Sequence, residues 1–245
     1  MLKTFRTDLH IHTCLSPCAG IEMTPRRIVE ESCRKNIDII AITDHNSSEN
    51  VPAAISASRE RDITVIAGME VTTSEEVHII GLFPDYERLR EFQKSVNRGL
   101  PWKVRSMGDF EQVVVNERDE VLRFHERNLM GATDMSVEET VRSIHETGGV
   151  AIACHIDREV FSIITQLGFI PDLLPLDAVE ISFQTSLDRA CRAFDGYRKF
   201  TWIRSSDAHY VSDIGRICSE FVMKGPGFEE LRLAFLGEGG RGVRI

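Results

Sequence analysis

The feature that most constrains this chain is a rhythm of eight short apolar runs, separated by stretches that carry helix start signals. The runs cover residues 5–12, 37–43, 63–71, 77–83, 150–154, 176–181, 200–204 and 219–223. Several are almost unbroken in Ile, Val and Ala, as expected of parallel strands buried on both faces. Between them, Thr24-Pro25 predicts a helix running toward Lys35, with the threonine as N-cap and the proline in the first turn. Ser136-Val-Glu-Glu has the capping-box spacing and opens a helix that stops near Gly148-Gly149. Such alternation implies an α/β protein, and a barrel or an open sheet satisfies it equally. Residues 97–134 break the rhythm with many charges and read as an insertion, either a helical cap or a solvated appendage.

Composition narrows the class. The 245 residues carry 38 acids against 29 bases, a formal charge of −9. A chain of this length buries a core without disulfide staples. Its negative charge argues against broad, nonspecific binding to nucleic-acid backbones. A nucleic-acid end entering a metal-lined pocket remains compatible, because cations would supply the positive charge. No apolar run approaches the roughly 18–20 residues of a membrane span, and the start holds no apolar signal-peptide core. The six cysteines therefore read as thiols of a cytoplasmic protein.

Position, more than number, singles out the polar residues. In Asp8-Leu9-His10-Ile11-His12, strand alternation puts Asp8, His10 and His12 on one face. The second run ends in Thr43-Asp44-His45, the third in Gly68-Met69-Glu70 and the fifth in Cys154-His155. The sixth ends in Val179-Glu180, and the seventh leads into Ser206-Asp207-Ala208-His209. Six runs thus finish in metal ligands or acid–base groups, and parallel α/β folds gather those strand ends on one rim. Chance would scatter such residues over both strand ends and the helices. Mixed imidazole and carboxylate donors suit Zn, Mn or Fe, and a set this large implies two or three divalent ions.

Taken in order, these motifs (His-x-His, Thr-Asp-His, a glutamate after the third strand, a strand histidine, a histidine after the fifth strand, then Ser-Asp-Ala-His) resemble the PHP superfamily. Its members include polymerase-associated domains, histidinol phosphatases, and stand-alone nucleotide phosphatases and exonucleases. The resemblance runs from Asp8 to about Phe235. It implies a distorted (β/α)7 TIM-like barrel forming a single PHP domain over residues 1–245, with the insertion at about 97–134. It also implies a metal site in which His10, His12, Glu70 and Asp207 hold one ion. Glu70 would bridge to a second ion that takes His78 and His155, and His45 with His209 would hold a third. His78 opens its run, so strand reading alone leaves it off the rim, and a buried structural histidine is the alternative. Where many relatives read Ser-Asp-Gly, or place a His or Asp on the third ion, this chain has Ser16-Pro17-Cys18. Cys18 is expected near the site, either as a thiolate ligand or beside a third position that is weak, empty or filled by water. Oxidative pairing of Cys14 with Cys18 is the less favoured option in the cytoplasm.

The implied reaction is metal-dependent hydrolysis of a phosphate monoester, that of a nucleotide or another small phosphorylated metabolite. Two ions about 3.5–4 Å apart would share a hydroxide that attacks phosphorus in line. Asp207 or His209 would pass a proton to the leaving oxygen. Arg158, three residues after His155, is placed either to bind a phosphate bidentately or to pair at a helix start. The alternatives are a 5′–3′ exonuclease acting on oligonucleotide 5′ ends, and a non-catalytic, metal-stabilised scaffold module. Arg88, Arg90, Arg98 and Arg105 read as a phosphate-binding patch or a solvated face. Glu180 reads as a carboxylate that orients a ligand or contacts substrate, the first being favoured, and Asp44 as one that orients a ligand. His125 and His145 read as surface or helix-end histidines, Cys33, Cys191 and Cys218 as small buried side chains, and Asp188, Arg189 and Arg192 as an exposed helix face.

Overall fold

The computed structural model describes residues 1–102 and 111–245. In chain order its elements are β1 (Lys3–Ile11), α1 (Pro25–Arg34), β2 (Ile39–Ile42), α2 (Val51–Ser58), β3 (Thr64–Thr72), β4 (His78–Phe83), α3 (Tyr86–Gly99), β5 (Val113–Val115) and β6 (Val121–Phe124). They continue with α4 (Val137–Glu146), β7 (Val150–Ala153), α5 (Ile163–Leu167), β8 (Ala178–Glu180), α6 (Leu187–Ala193), β9 (Thr201–Ile203), β10 (Ser219–Met223), α7 (Phe228–Phe235) and β11 (Gly242–Arg244). Helix starts follow the sequence signals: Thr24 caps α1, and Ser136 with Glu139 forms a complete capping box on α4.

Hydrogen bonds order one sheet as β11-β10-β1-β2-β3-β4-β7-β8-β9, while β5 and β6 pair separately. The stretch from β1 to β9 curls into a nearly closed barrel. Residues that follow β9 close the seam: Leu9 N donates to Ser205 Oγ at 3.2 Å, and His12 N donates to Ala208 O at 3.0 Å. One face of the strands points into the lumen, where Leu9, Ile39, Ile66, Leu82, Ile152 and Ile203 pack with Phe228 and Leu231 of α7. The other face packs under the surrounding helices, with Ile40, Ile42 and Met69 against Ile28, Phe92 and Val141.

The sheet is not parallel throughout, which corrects the expectation drawn from the unbroken apolar runs. β4 pairs antiparallel with both β3 and β7, and β10 antiparallel with β1. Only residues 73–77 join β3 to β4, whereas a parallel crossover needs about a dozen residues or more. The reversal has a functional consequence: the first residue of β4, His78, pairs with Thr72 at the end of β3 and so stands on the rim.

Strict alternation also fails within β1. Its register against β2 shifts between Asp8 and Ile11, and irregularities of this kind re-aim side chains near active sites. Asp8 is turned away from the two imidazoles and accepts from Ser206 N at 2.9 Å and Gly215 N at 2.8 Å. Burial pushes its carboxyl up to about 6 despite those bonds.

Among the described residues of 97–134, the first three end α3 and β5 with β6 forms a β-hairpin, where a helical cap was one expectation. Val114 packs with Leu15, Leu100 and Leu129, and Val113 and Val115 pack on Cys14. Asn50, fully buried, holds it to the barrel: its Nδ2 donates to Thr13 Oγ1 at 2.9 Å and Val113 O at 3.0 Å, and its Oδ1 accepts from Val115 N at 3.0 Å. Asn50→Ala is expected to lower stability by about 2–4 kcal/mol, because buried partners are left unmade. A denaturant midpoint and limited proteolysis of residues 111–134 would register it; an unchanged cleavage pattern would refute this anchoring role.

Other expectations meet mixed outcomes. His145 donates from Nε2 to Asp177 at 2.8 Å near the end of α4, as a helix-end histidine should. His125 is buried, not superficial, and its Nδ1 accepts from Arg127 N at 3.1 Å within the hairpin region. Cys33, Cys191 and Cys218 are half-buried rather than buried. Arg88, Arg90 and Arg98 are exposed on α3 and line neither cavity at the rim, while Arg105 lies outside the described residues. Among the described residues no helix is long and apolar enough to cross a membrane.

Candidate metal centre

All eight sequence-derived ligands meet at one rim of the barrel. His10 and His12 come from the end of β1, His45 follows β2, Glu70 lies near the end of β3 and His78 starts β4. His155 follows β7, and Asp207 and His209 follow β9. His10, His12 and Glu70 are completely buried.

Glu70 is the hub. Its Oε1 lies 3.3 Å from His10 Nε2, 2.9 Å from His78 Nδ1 and 3.5 Å from His155 Nε2. Its Oε2 lies 3.4 Å from His12 Nε2 and 3.0 Å from His45 Nδ1. The two oxygens thus face different sets of imidazoles, as a bridging carboxylate must. Asp207 Oδ1 lies between the two sets, 3.3 Å from His10 Nε2 and 3.2 Å from His12 Nε2.

Several details fit these residues to divalent cations. Both Glu70 oxygens, His45 Nδ1, His78 Nδ1 and His155 Nδ1 are buried without a hydrogen-bond partner, and orphaned buried polar atoms call for an explanation. The Nε2 atoms of His10 and His12 lie 3.2 Å apart, so both cannot carry protons. Their other nitrogens are engaged: His10 Nδ1 donates to Glu180 at 3.0 Å, and His12 Nδ1 is bonded to Ser16 Oγ at 3.0 Å. An imidazole held at one nitrogen by an outer partner presents the other to a metal. Triads of these donors, such as His10/His12/Glu70 and His45/Glu70/His78, have ligand atoms within 4.8 Å of one another.

Electrostatics follow from this crowding. Burial pushes the Glu70 carboxyl up, but His78, His10 and His45 hold it well below the usual range. Burial disfavours charge on His10, yet Glu180, Asp207 and Glu70 hold it well above the ordinary 6.5. His45 is also held well above that value, burial being outweighed by Glu70. Cations entering the centre must displace those protons. Metal uptake is therefore expected to release protons and to weaken as pH falls toward and below neutrality. A metal titration in weakly buffered solution reads this directly; uptake without proton release would contradict it.

The surrounding residues shape the approach. Arg158 lies 2.6 Å from Asp207 Oδ2 on the rim, not at a helix start. A cavity of about 230 Å³, lined by Glu70, His78, His155, Arg158 and His209, opens into a groove of about 710 Å³ that shares Arg158, Asp207 and His209. Cys18 lines both, and Cys14 and Cys18 are free thiols. Burial raises the Cys18 thiol, and hydrogen bonds with His209 and His45 outweigh it, bringing the thiol down to about 7. Asp44, as expected of an orienting carboxylate, accepts from Ser16 Oγ at 2.7 Å and Thr13 Oγ1 at 2.7 Å, which fixes the partner of His12. Glu180 likewise accepts from His10 and from the backbone of His155 at 3.2 Å. Glu180→Gln is expected to weaken metal affinity roughly 10–100-fold; chelator competition measures it, and unaltered affinity would remove Glu180 from that role.

Sequence reading missed Phe161, whose ring stacks on His78 at 4.5 Å, and the groove residues Phe183 and Arg216. It could have found none of them, because each reaches the rim from a loop. Asn46, His155, Phe161 and Asp207 all have positive φ, and strained non-glycine backbone gathers at functional sites.

Buried imidazoles and carboxylates gathered around one glutamate at a barrel rim make this a candidate metal centre. The chain belongs to the PHP domain family, whose family model matches residues 8–197. It is 31% identical over 106 residues to a 3′,5′-nucleoside bisphosphate phosphatase of Chromobacterium violaceum, a match covering 41% of this chain and 36% of the relative. It is 36% identical over 93 residues to a 5′-3′ exoribonuclease of Salmonella typhimurium, covering 35% of this chain and 30% of the relative. Its fold is similar to that of a lesion-specific endonuclease from Pyrococcus furiosus, with a TM-score of 0.77 and 19% identity. That superposition covers 99% of this chain and 58% of the endonuclease. The chain thus spans less than two thirds of each of these three proteins.

Proposed function

We propose that this protein is a metal-dependent phosphoesterase that removes a terminal phosphate from a nucleotide or a similarly small phosphorylated metabolite. The observation that carries the reading is a cavity of about 230 Å³ lined by Glu70, His78 and His155 together with Arg158 and His209. A cavity of that size beside the donor set, with a guanidinium in its lining, suits a terminal phosphoryl group. Bound divalent ions would polarise the phosphoryl oxygens and bring the pKa of a water toward ~7. Among the residues, Glu70, His10, His12 and Asp207, with His78 and His155, hold the ions, and His45 and His209 flank them. Arg158 grips a phosphoryl oxygen through its fork of N–H donors. Asp207 orients that guanidinium and, with His209 beside it, carries the proton to the leaving oxygen.

A second reading, attack on the 5′ end of an oligonucleotide, is favoured by one feature. The adjoining groove of about 710 Å³ carries the exposed aromatic rings of Phe183 and Tyr210 together with Arg189 and Arg216. Rings and guanidinium groups together suit stacked bases and their phosphates. The relatives named above include both a phosphatase and an exoribonuclease.

The deciding experiment is product release with manganese or zinc from mononucleotides, 3′,5′-nucleoside bisphosphates, histidinol phosphate and 5′-phosphorylated oligonucleotides. His10→Ala is the control. Metal-dependent release of inorganic phosphate, lost in the control, is the expected result. Release of mononucleotides from the oligomer instead would favour the second reading. No release from any substrate by metal-loaded protein would shift the weight to a scaffold.

A further inference from the structure

Asp207 is held in an unfavourable backbone shape. It sits at φ 48°, in the left-handed region that residues with a Cβ enter at a cost. Such strain persists where the surroundings fix the chain on both sides. From the N–H side, Asp8 is fully buried and accepts from Ser206 N at 2.9 Å and Gly215 N at 2.8 Å. From the carbonyl side, Arg216 Nε donates to Ser206 O at 2.8 Å and its Nη2 to Asp207 O at 3.3 Å. The carbonyl of Asp207 also accepts from His209 Nδ1 at 2.9 Å.

The guanidinium that makes these bonds is itself fixed. Its Cζ lies 3.3 Å from the centre of the Phe183 ring, a position that suits a planar cation. Asp213 Oδ1 lies 3.7 Å from its Nη1. The ring in turn stands on a fastened loop. Ser182 N and Ser182 Oγ donate to Asp157 at 2.8 Å and 2.7 Å. Arg204 Nη2 donates to the carbonyls of Ser182 at 2.8 Å and Thr185 at 2.6 Å. Phe183, Asp207 and Arg216 line the same groove.

We propose that Arg216 is a positioning residue: seated on Phe183, it holds the carbonyls of Ser206 and Asp207 and so aims the Asp207 carboxylate at His10, His12 and Arg158. This rests on the reading of Asp207 as part of the metal centre. The carboxylate oxygens stand 3.2 Å from His12 Nε2, 3.3 Å from His10 Nε2 and 2.6 Å from Arg158 Nη2. A turn that relaxes out of φ 48° would swing them away from all three. Arg216 touches neither oxygen; its bonds to this segment go to backbone carbonyls, so it acts on the side chain through the chain's shape.

Arg216→Ala in the full chain tests this through manganese affinity, read by chelator competition, so no substrate is needed. Affinity should weaken roughly 10-fold or more, the usual worth of a group that orients a ligand. On a phosphoester that the chain hydrolyses, kcat should fall while KM stays nearly constant. A double-mutant cycle with Asp207→Asn separates aiming from general loosening. In the Asp207→Asn background, Arg216→Ala should change affinity by no more than about twofold, because the carboxylate it aims is gone. Phe183→Ala leaves the hydrogen bonds of Arg216 in place and should weaken affinity in the same direction by less, which keeps the proposal testable if Arg216→Ala fails to fold. Three results would overturn the proposal and leave the Glu70 centre standing. They are wild-type affinity in Arg216→Ala (or in Phe183→Ala, should the first not fold), effects that simply multiply in the cycle, and a raised KM with kcat unchanged, which would put Arg216 on the substrate. A chain that binds neither manganese nor zinc would overturn both.

Discussion

Glu70→Gln is expected to empty the centre and to lower turnover by about a thousandfold or more, since the metals supply several kcal/mol of transition-state stabilisation. Glu70 is completely buried, and its two oxygens face separate sets of imidazoles. Glutamine keeps the shape, but only one acceptor remains and an N–H₂ group then faces donors. A structural effect should accompany the catalytic one. Without metal, His10 and His45 are held above the ordinary 6.5 largely by neighbouring carboxylates, including Glu70. Removing that charge leaves buried cations short of a partner, a loss of about 3–5 kcal/mol by analogy with broken buried pairs. The sign with pH follows from Glu70 itself. Its carboxyl is held below 4.5 in the folded chain, so its contribution is present above 4.5 and is lost as pH falls through the lower folded value. Elemental analysis gives the metal content, and denaturant midpoints with and without chelator give the stability. Wild-type metal content in the variant would sink the assignment of Glu70 as the bridge.

Asp207→Asn separates charge from geometry. Asp207 sits at φ 48°, a left-handed conformation that asparagine accepts readily, so the backbone should survive. What goes is the charge that places Oδ1 against His10 and His12 and Oδ2 against Arg158. We expect kcat to fall by about 10²-fold or more, the usual worth of a positioned proton-transfer group. KM should change less, because Arg158 loses its internal partner and remains free for phosphate. Steady-state kinetics on the preferred substrate, alongside metal content, distinguish this from simple metal loss. Turnover at the wild-type rate would take Asp207 out of the chemistry.

Much of the site is legible in the chain because local rules place it. His45, Glu70, His155 and Asp207 end or follow apolar runs, and the ends of parallel strands share a rim whatever the rest of the fold does. The capping signals of α1 and α4 are equally local and hold as written. Tertiary structure decided the remainder. His78 reaches the rim because its strand runs backwards, a consequence of the short link from β3 that an apolar run does not encode. Asp8 leaves the face of His10 and His12 because β1 shifts register where residues 205–208 join the barrel seam. Arg158 and Cys18 reach the site across long sequence separations, Arg158 at Asp207 and Cys18 in the cavity that His45 and His209 also line. Periodicity reports which face of an element a residue occupies, whereas strand direction, register slips and loop-to-loop contacts depend on packing between distant segments. For that reason most of the donor set could be read from the chain, His78 only through the family resemblance, while its geometry required the folded barrel.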